Sequence, residues 1–136
     1  ASAYTPEDDT LTEYFQKDHV PRQYSDYWAV PNPPHDLSVV IGMGGYPRIR
    51  FTPPQSFAVY RLMRIELEGG ESELVGEYEG REGPVDITDY DAQYGHRYEY
   101  YVVPTHPEIL IDGEPMKGSP SARVVIEVQD EEYYMP

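Results

Sequence analysis

From Asp36 onward, apolar and polar side chains alternate with a period of two, whereas the first 35 residues follow no such rule. "LSVVI" puts Leu37, Val39 and Ile41 on one face. After the turn "GMGGY", "RIRF" sets Ile49 and Phe51 inward and Arg48 and Arg50 outward, which is a hairpin pattern. "TPPQ" ends that strand. "FAVYRLMRIEL" predicts a third strand with Tyr60, Leu62 and Arg64 on one face. "EGGES" turns the chain, "ELVGEYEG" returns it, "REGP" turns it again and "VDIT" makes a short strand. "HRYEYYVVP" predicts a long strand with Tyr98, Tyr100 and Val102 on one side. The segment from Thr105 to Met116 reads as a long loop with room for a small hairpin closing near Asp112-Gly113. "ARVVIEV" is the last strand, with Val124, Ile126 and Val128 alternating. Seven short strands with turn chemistry between them predict an all-β fold, a seven-stranded antiparallel sandwich whose two sheets face each other over residues 36–128.

The flanks differ. In "TPEDDTLTEYF", Thr5 suits a cap, Pro6 the first helical position, and Asp8 completes a capping box, so a short helix is predicted over Pro6 to Lys17. "VPRQYSDYWAVPNPPHD" reads as an extended connector. Its Tyr24, Tyr27 and Trp28 suit a segment that packs on the sandwich rather than a free linker. Residues 1–35 therefore form a helix and Pro-rich linker, and residues 129–136 an acidic tail. Fourteen prolines, eleven glycines and fourteen tyrosines agree with an all-β chain.

Charge and chemistry narrow the function. The net charge of -15 opposes nucleic acid and anionic membranes, because neutralising phosphate takes clustered Lys and Arg. No apolar run reaches membrane-spanning length, and "ASAYTPEDD" lacks the parts of a signal peptide, so any export signal would lie outside this chain. With no cysteine there are no disulfides and no thiolate nucleophile. His19, His35, His96 and His106 do not have zinc-site spacing. Ser119 lies in "GSPS", which is not a nucleophile elbow. No cofactor is expected, and no base, nucleophile and orienting group occur together.

The segment "DITDYDAQYGHRYEYYVVP" concentrates carboxylates and tyrosines. Asp86, Asp89 and Asp91 read either as turn residues or as calcium ligands, without the regular alternation of a calcium loop. Tyr90, Tyr94 and Tyr101 face solvent if Tyr98 and Tyr100 face inward, which makes them candidate ligand-binding residues for the apolar faces of sugars.

Several stretches resemble the fibronectin type III family over Pro33 to Val128: "PPHDLSVV", "RIRFTPP" with Phe51 where the family usually has tryptophan, "VYRLMR", the Gly-x-x-Tyr-x-Tyr-x-Val run from Gly95, and "GSPSARVVIEV". The long insertion around Thr105 to Met116 departs from that family. The resemblance implies an immunoglobulin-like sandwich with Tyr98 as the tyrosine corner, Asp89 bracing the turn before it, and Tyr100 in the core. "TLTEYFQKDHVP" resembles the stretch after the transpeptidase domain of class A penicillin-binding proteins, some of which carry a fibronectin-type appendage. That implies a non-catalytic, extracytoplasmic module whose partner is another protein or the rest of a cell-wall enzyme. The chain itself has no Ser-x-x-Lys transpeptidase motif. The alternative reading is a carbohydrate-binding module for cell-wall polysaccharide.

Overall fold

The computed structural model of the chain describes residues 29–128. The helix expected over residues 6–17, most of the expected linker and the acidic tail lie outside the described residues. Eight strands follow in order: β1 (Ser38–Ile41), β2 (Pro47–Phe51), β3 (Val59–Glu66), β4 (Glu73–Glu79), β5 (Val85–Thr88), β6 (Arg97–Ile111), β7 (Glu114–Lys117) and β8 (Val124–Glu127). All pairings are antiparallel. One sheet has the order β1-β2-β5; the other has the order β4-β3-β6-β7, with β8 also on β6. β3 takes one flank of β6. On the other flank β8 pairs with Arg97–Tyr100 and β7 with residues from Thr105 to Ile111.

The two-sheet sandwich matches the sequence pattern, with one difference in strand count. The insertion expected as a loop is strand. β6 continues to Ile111, and the Asp112-Gly113 turn closes a hairpin with β7. Asp112 at φ 55° and Gly113 at φ 84° are both left-handed, as a two-residue type I′ turn requires.

Alternation explains the core. β2 buries Pro47, Ile49 and Phe51 and exposes Arg48 and Arg50. Tyr60 and Leu62 of β3 meet Tyr98, Tyr100 and Val102 of β6. Phe51 packs among rings, 6.5 Å from Tyr60 and 6.1 Å from Tyr78 between centroids. A core rich in tyrosine must satisfy each buried hydroxyl. The Tyr60 hydroxyl accepts from the Gln55 N–H at 3.0 Å, and the Tyr98 hydroxyl accepts from the Gln93 N–H at 2.9 Å. That of Tyr100 donates to Asp89 at 2.6 Å.

The described part of the linker lies against the sandwich. Pro31 and Pro34 are buried, and the Asn32 N–H donates to Gln55 Oε1 at 2.6 Å. Gly118 permits this approach, since a Cβ there would come within 1.9 Å of the Pro31 carbonyl oxygen. The chain therefore enters beside the β2–β3 connection. It leaves at the other end, where Val128 exchanges backbone hydrogen bonds with Gly95 and His96.

Two outcomes are expected. Gly118→Ala should detach residues 31–34 and lower the melting temperature, with hydrogen exchange at the Asn32 amide reporting the loss. Burial raises the phenol pKa of Tyr60, Tyr78 and Tyr100, helped in Tyr100 by its bond to Asp89. Folding therefore favours their protonated forms, and this stability is fully present below the unfolded value of about 10. It should be lost as pH rises through the folded-state values. Phenolate absorbance should show these rings titrating only with unfolding.

Candidate binding surface

The acid- and tyrosine-rich segment is organised by Asp89, which follows the last residue of β5. Its side chain is 3% exposed. Oδ2 accepts from Arg64 Nη1 at 2.6 Å and from the Tyr100 hydroxyl at 2.6 Å. Oδ1 accepts from the Asp91 N–H at 3.2 Å, and the Asp89 N–H donates to the Pro47 carbonyl at 3.0 Å. One carboxylate thus ties β3, β6 and the β5–β6 loop together, and its backbone adds β2. Arg64 is 12% exposed, also bonds Glu73 at 2.7 Å, and lies 5.4 Å from the Tyr98 ring centroid. Burial pulls the Arg64 pKa down, but the bonds to Glu73 and Asp89 outweigh it and hold the guanidinium protonated.

The other two aspartates of the segment go elsewhere. Asp86 sits on the outer face of the first sheet, 2.7 Å from Arg48 and 3.3 Å from Arg50. The Arg48 bond holds its carboxyl below the usual range. Asp91 is exposed. Among the described residues no three or more His, Asp or Glu side chains converge as metal ligands would.

The Asp89 node and the tyrosine corner hold the loop that carries Tyr90 and Tyr94, which are 71% and 37% exposed. Both rings meet Tyr46 from the β1–β2 connection. Tyr94 stacks on it with centroids 5.1 Å apart and planes 28° apart, while Tyr90 stands edge-on at 5.3 Å and 67°. The Tyr94 hydroxyl donates to the Gly44 carbonyl at 3.0 Å, closing the two loops against each other. Gly44 at φ 76° and Gly45 at φ 83° let the β1–β2 turn present that carbonyl. Met43 on the same turn is 93% exposed. The result is an aromatic and thioether surface at one end of the sandwich.

Of the three tyrosines expected to bind a ligand, the structure brings together Tyr90 and Tyr94. Tyr101 is 8% exposed on the outer face of the second sheet, beneath the Arg123 guanidinium at 4.3 Å and 2.5 Å from the Ser72 hydroxyl. Sequence reasoning missed Tyr46 and Met43. Their signal was the "GMGGY" turn, read only as a turn.

The seven arginines of the described residues all pair with acids: Arg48 and Arg50 with Asp86, Arg61 with Glu77, Arg64 with Glu73 and Asp89, Arg81 with Glu79, Arg97 with Glu68, and Arg123 with Glu99. The histidines are dispersed. His96 bonds Glu66 at one end of β6; His106 is fully buried near the other, its ring 4.7 Å from that of Phe57. Among the described residues no helix is long and apolar enough to cross a membrane.

These features define an antiparallel two-sheet sandwich with a tyrosine corner. Among solved structures, the fold is similar to that of fibronectin type III domains. A fibronectin type III-like protein from Clostridium thermocellum matches with a TM-score of 0.52 and 20% identity, over 71% of this chain and 92% of its own. The fibronectin type III domain of human collagen alpha-1(XX) matches at 0.51 and 17%, over 75% and 89%. A myokine structure matches at 0.52 and 8%, over 73% and 98%. No sequence-family model matches the chain, and no curated protein matches it significantly.

Asp89→Ala should cost about 2 kcal/mol or more, because it leaves a buried hydroxyl unpaired and a largely buried guanidinium with Glu73 as its remaining carboxylate partner. Chemical denaturation measures the loss. Amide exchange at Tyr90–Tyr94 should accelerate even where the sandwich stays folded.

Proposed function

We propose that the chain is a non-catalytic module that positions or docks a larger extracytoplasmic enzyme, one that builds peptidoglycan. One observation carries the non-catalytic part. Of the four buried polar side chains among the described residues, three have their polar atoms taken up in holding the fold. Asp89 binds Arg64 and Tyr100, Thr105 donates to the Val59 carbonyl, and Ser121 accepts from the Val102 N–H. The His106 ring accepts from the Glu108 N–H. A catalytic acid or base needs a polar group left to meet substrate, and Asp89, Thr105 and Ser121 are committed to Arg64, Tyr100 and the backbone. Fibronectin type III domains, which this fold matches, are generally non-catalytic. The cell-wall context rests on the likeness of "TLTEYFQKDHVP" to the stretch after a transpeptidase domain.

The docking surface in this reading is the one formed by Met43, Tyr46, Tyr90 and Tyr94. Aromatic and methionine side chains exposed on a braced loop suit protein contact, where large rigid side chains supply most of the binding energy. The second reading, sugar binding, draws on the Tyr46–Tyr94 stack. The edge-on Tyr90 gives that surface one broad ring plane rather than a flat strip, which favours the protein-contact reading.

The intact enzyme with Met43→Ser and Tyr90→Ala should keep its turnover on a soluble substrate and lose its placement at the cell wall. The same variants should change stability by less than about 0.5 kcal/mol. Loss of turnover on soluble substrate would refute the positioning role. Sedimentation with insoluble peptidoglycan separates the two readings. The wild-type chain should stay in solution, and retention abolished by Tyr90→Ala would turn the assignment to carbohydrate.

A further inference from the structure

The outer face of the second sheet carries an apolar stripe. Strand alternation turns Tyr60, Leu62, Tyr98, Tyr100 and Val102 inward, so the residues between them face out. The register sets Leu74, Met63 and Tyr101 in one row across β4, β3 and β6. Ile65, Glu99 and Val125 form the next row across β3, β6 and β8. Val103 shares this face, two residues along β6 from Tyr101. None of these apolar side chains belongs to the core cluster. Leu74 is 46% exposed and Val125 53% exposed, on strands at opposite sides of the sheet. Three strand spacings of about 4.8 Å put roughly 14 Å of sheet between those strands.

We infer that this face pairs two copies of the chain, the patch on one meeting the same patch on the other across a two-fold axis. Charge selects that partner. A net charge of -15 sets copies against each other, but this face carries little of it. Its outward strand positions hold Arg61, Arg97 and Arg123 against Glu77, Glu99 and Glu127, with Glu68 of the adjoining loop as one further acid beside Arg97. A surface that faces its own copy has to be balanced in sign, because any excess meets the same excess. The flanking ions are also paired within each copy, Arg61 with Glu77 at 3.1 Å and Arg123 with Glu99 at 2.9 Å. Arg123 reaches over Tyr101, its guanidinium 4.3 Å from the ring centroid, and so joins the stripe to its charged border. A strongly acidic or strongly basic partner would leave one of the two signs opposed. The contact is separate from the aromatic surface at the pole and does not rest on it.

The test is the mass of the full chain by sedimentation equilibrium as its concentration rises. The mass should move from monomer towards dimer by about 0.1 mM, and amide shifts that follow concentration should fall on Met63, Tyr101 and Val125. Raising salt from about 0.1 M to about 1 M cuts the screening length from about 10 Å to about 3 Å, so the remaining repulsion between copies fades and the dimer should tighten. Val125→Lys, at an exposed site opposite Glu99, should leave the fold intact by melting temperature and weaken the dimer at least about tenfold. Because that change lowers the net negative charge, association governed by overall repulsion would instead tighten. Tyr90→Ala should leave the dimer unchanged. A monomer at about 0.1 mM, a dimer weakened by salt, undiminished affinity in Val125→Lys, or dissociation by Tyr90→Ala would each overturn the inference.

Discussion

The structure depends on a single buried carboxylate. Asp89 lies where the second sheet, the end of the first sheet and the loop leading into β6 come together, and it accepts hydrogen bonds from a guanidinium, a phenol and a backbone amide. A lone carboxylate at that depth would be costly; saturated with donors, it instead specifies one arrangement of the strands around it. The surface loop inherits that order. Tyr90 and Tyr94 are presented in a defined geometry because the residue before them is held from below and Tyr98 anchors the loop a few residues later. The exposed chemistry is thus set by an internal electrostatic constraint.

This explains what the sequence made legible and what it hid. Strand faces follow from local alternation, so Ile49, Phe51, Tyr60, Leu62, Tyr98, Tyr100 and Val102 could be placed inward without coordinates. The Asp89–Asp91 brace and the Asp112-Gly113 turn are also local, and both could be expected. The Arg64–Asp89 contact could not, because 25 positions separate the partners and alternation says only that Arg64 faces inward. Tyr101 marks the limit of the rule. Alternation puts it on the outer face, but it cannot tell that Arg123 will fold over the ring. Tyr46 was hidden in the reverse sense: its ring partners lie on a loop more than forty positions away. The extension of β6 was obscured because Pro104 and Pro107 read as strand breakers, yet Pro104 still takes its place in the ladder opposite Tyr60.

β6 runs the length of the second sheet. Its fifteen residues span roughly 45 Å at about 3.3 Å each, from the loop that carries the tyrosines to the Asp112-Gly113 turn. Both ends are thus rooted in the same continuous backbone. The outer face of the first sheet, where Arg48 and Arg50 share Asp86, is by contrast a solvated, charged side.

The placement of Pro31 against Gly118 and of Val128 beside Gly95 has a mechanical consequence. The described chain comes in at one pole and goes out at the other, so tension applied across residues 31 and 128 would act along the strand axes. The rungs joining β1 to β2 and β8 to β6 would then be loaded together in shear rather than peeled apart one at a time. A domain threaded in this way resists stretching as a unit.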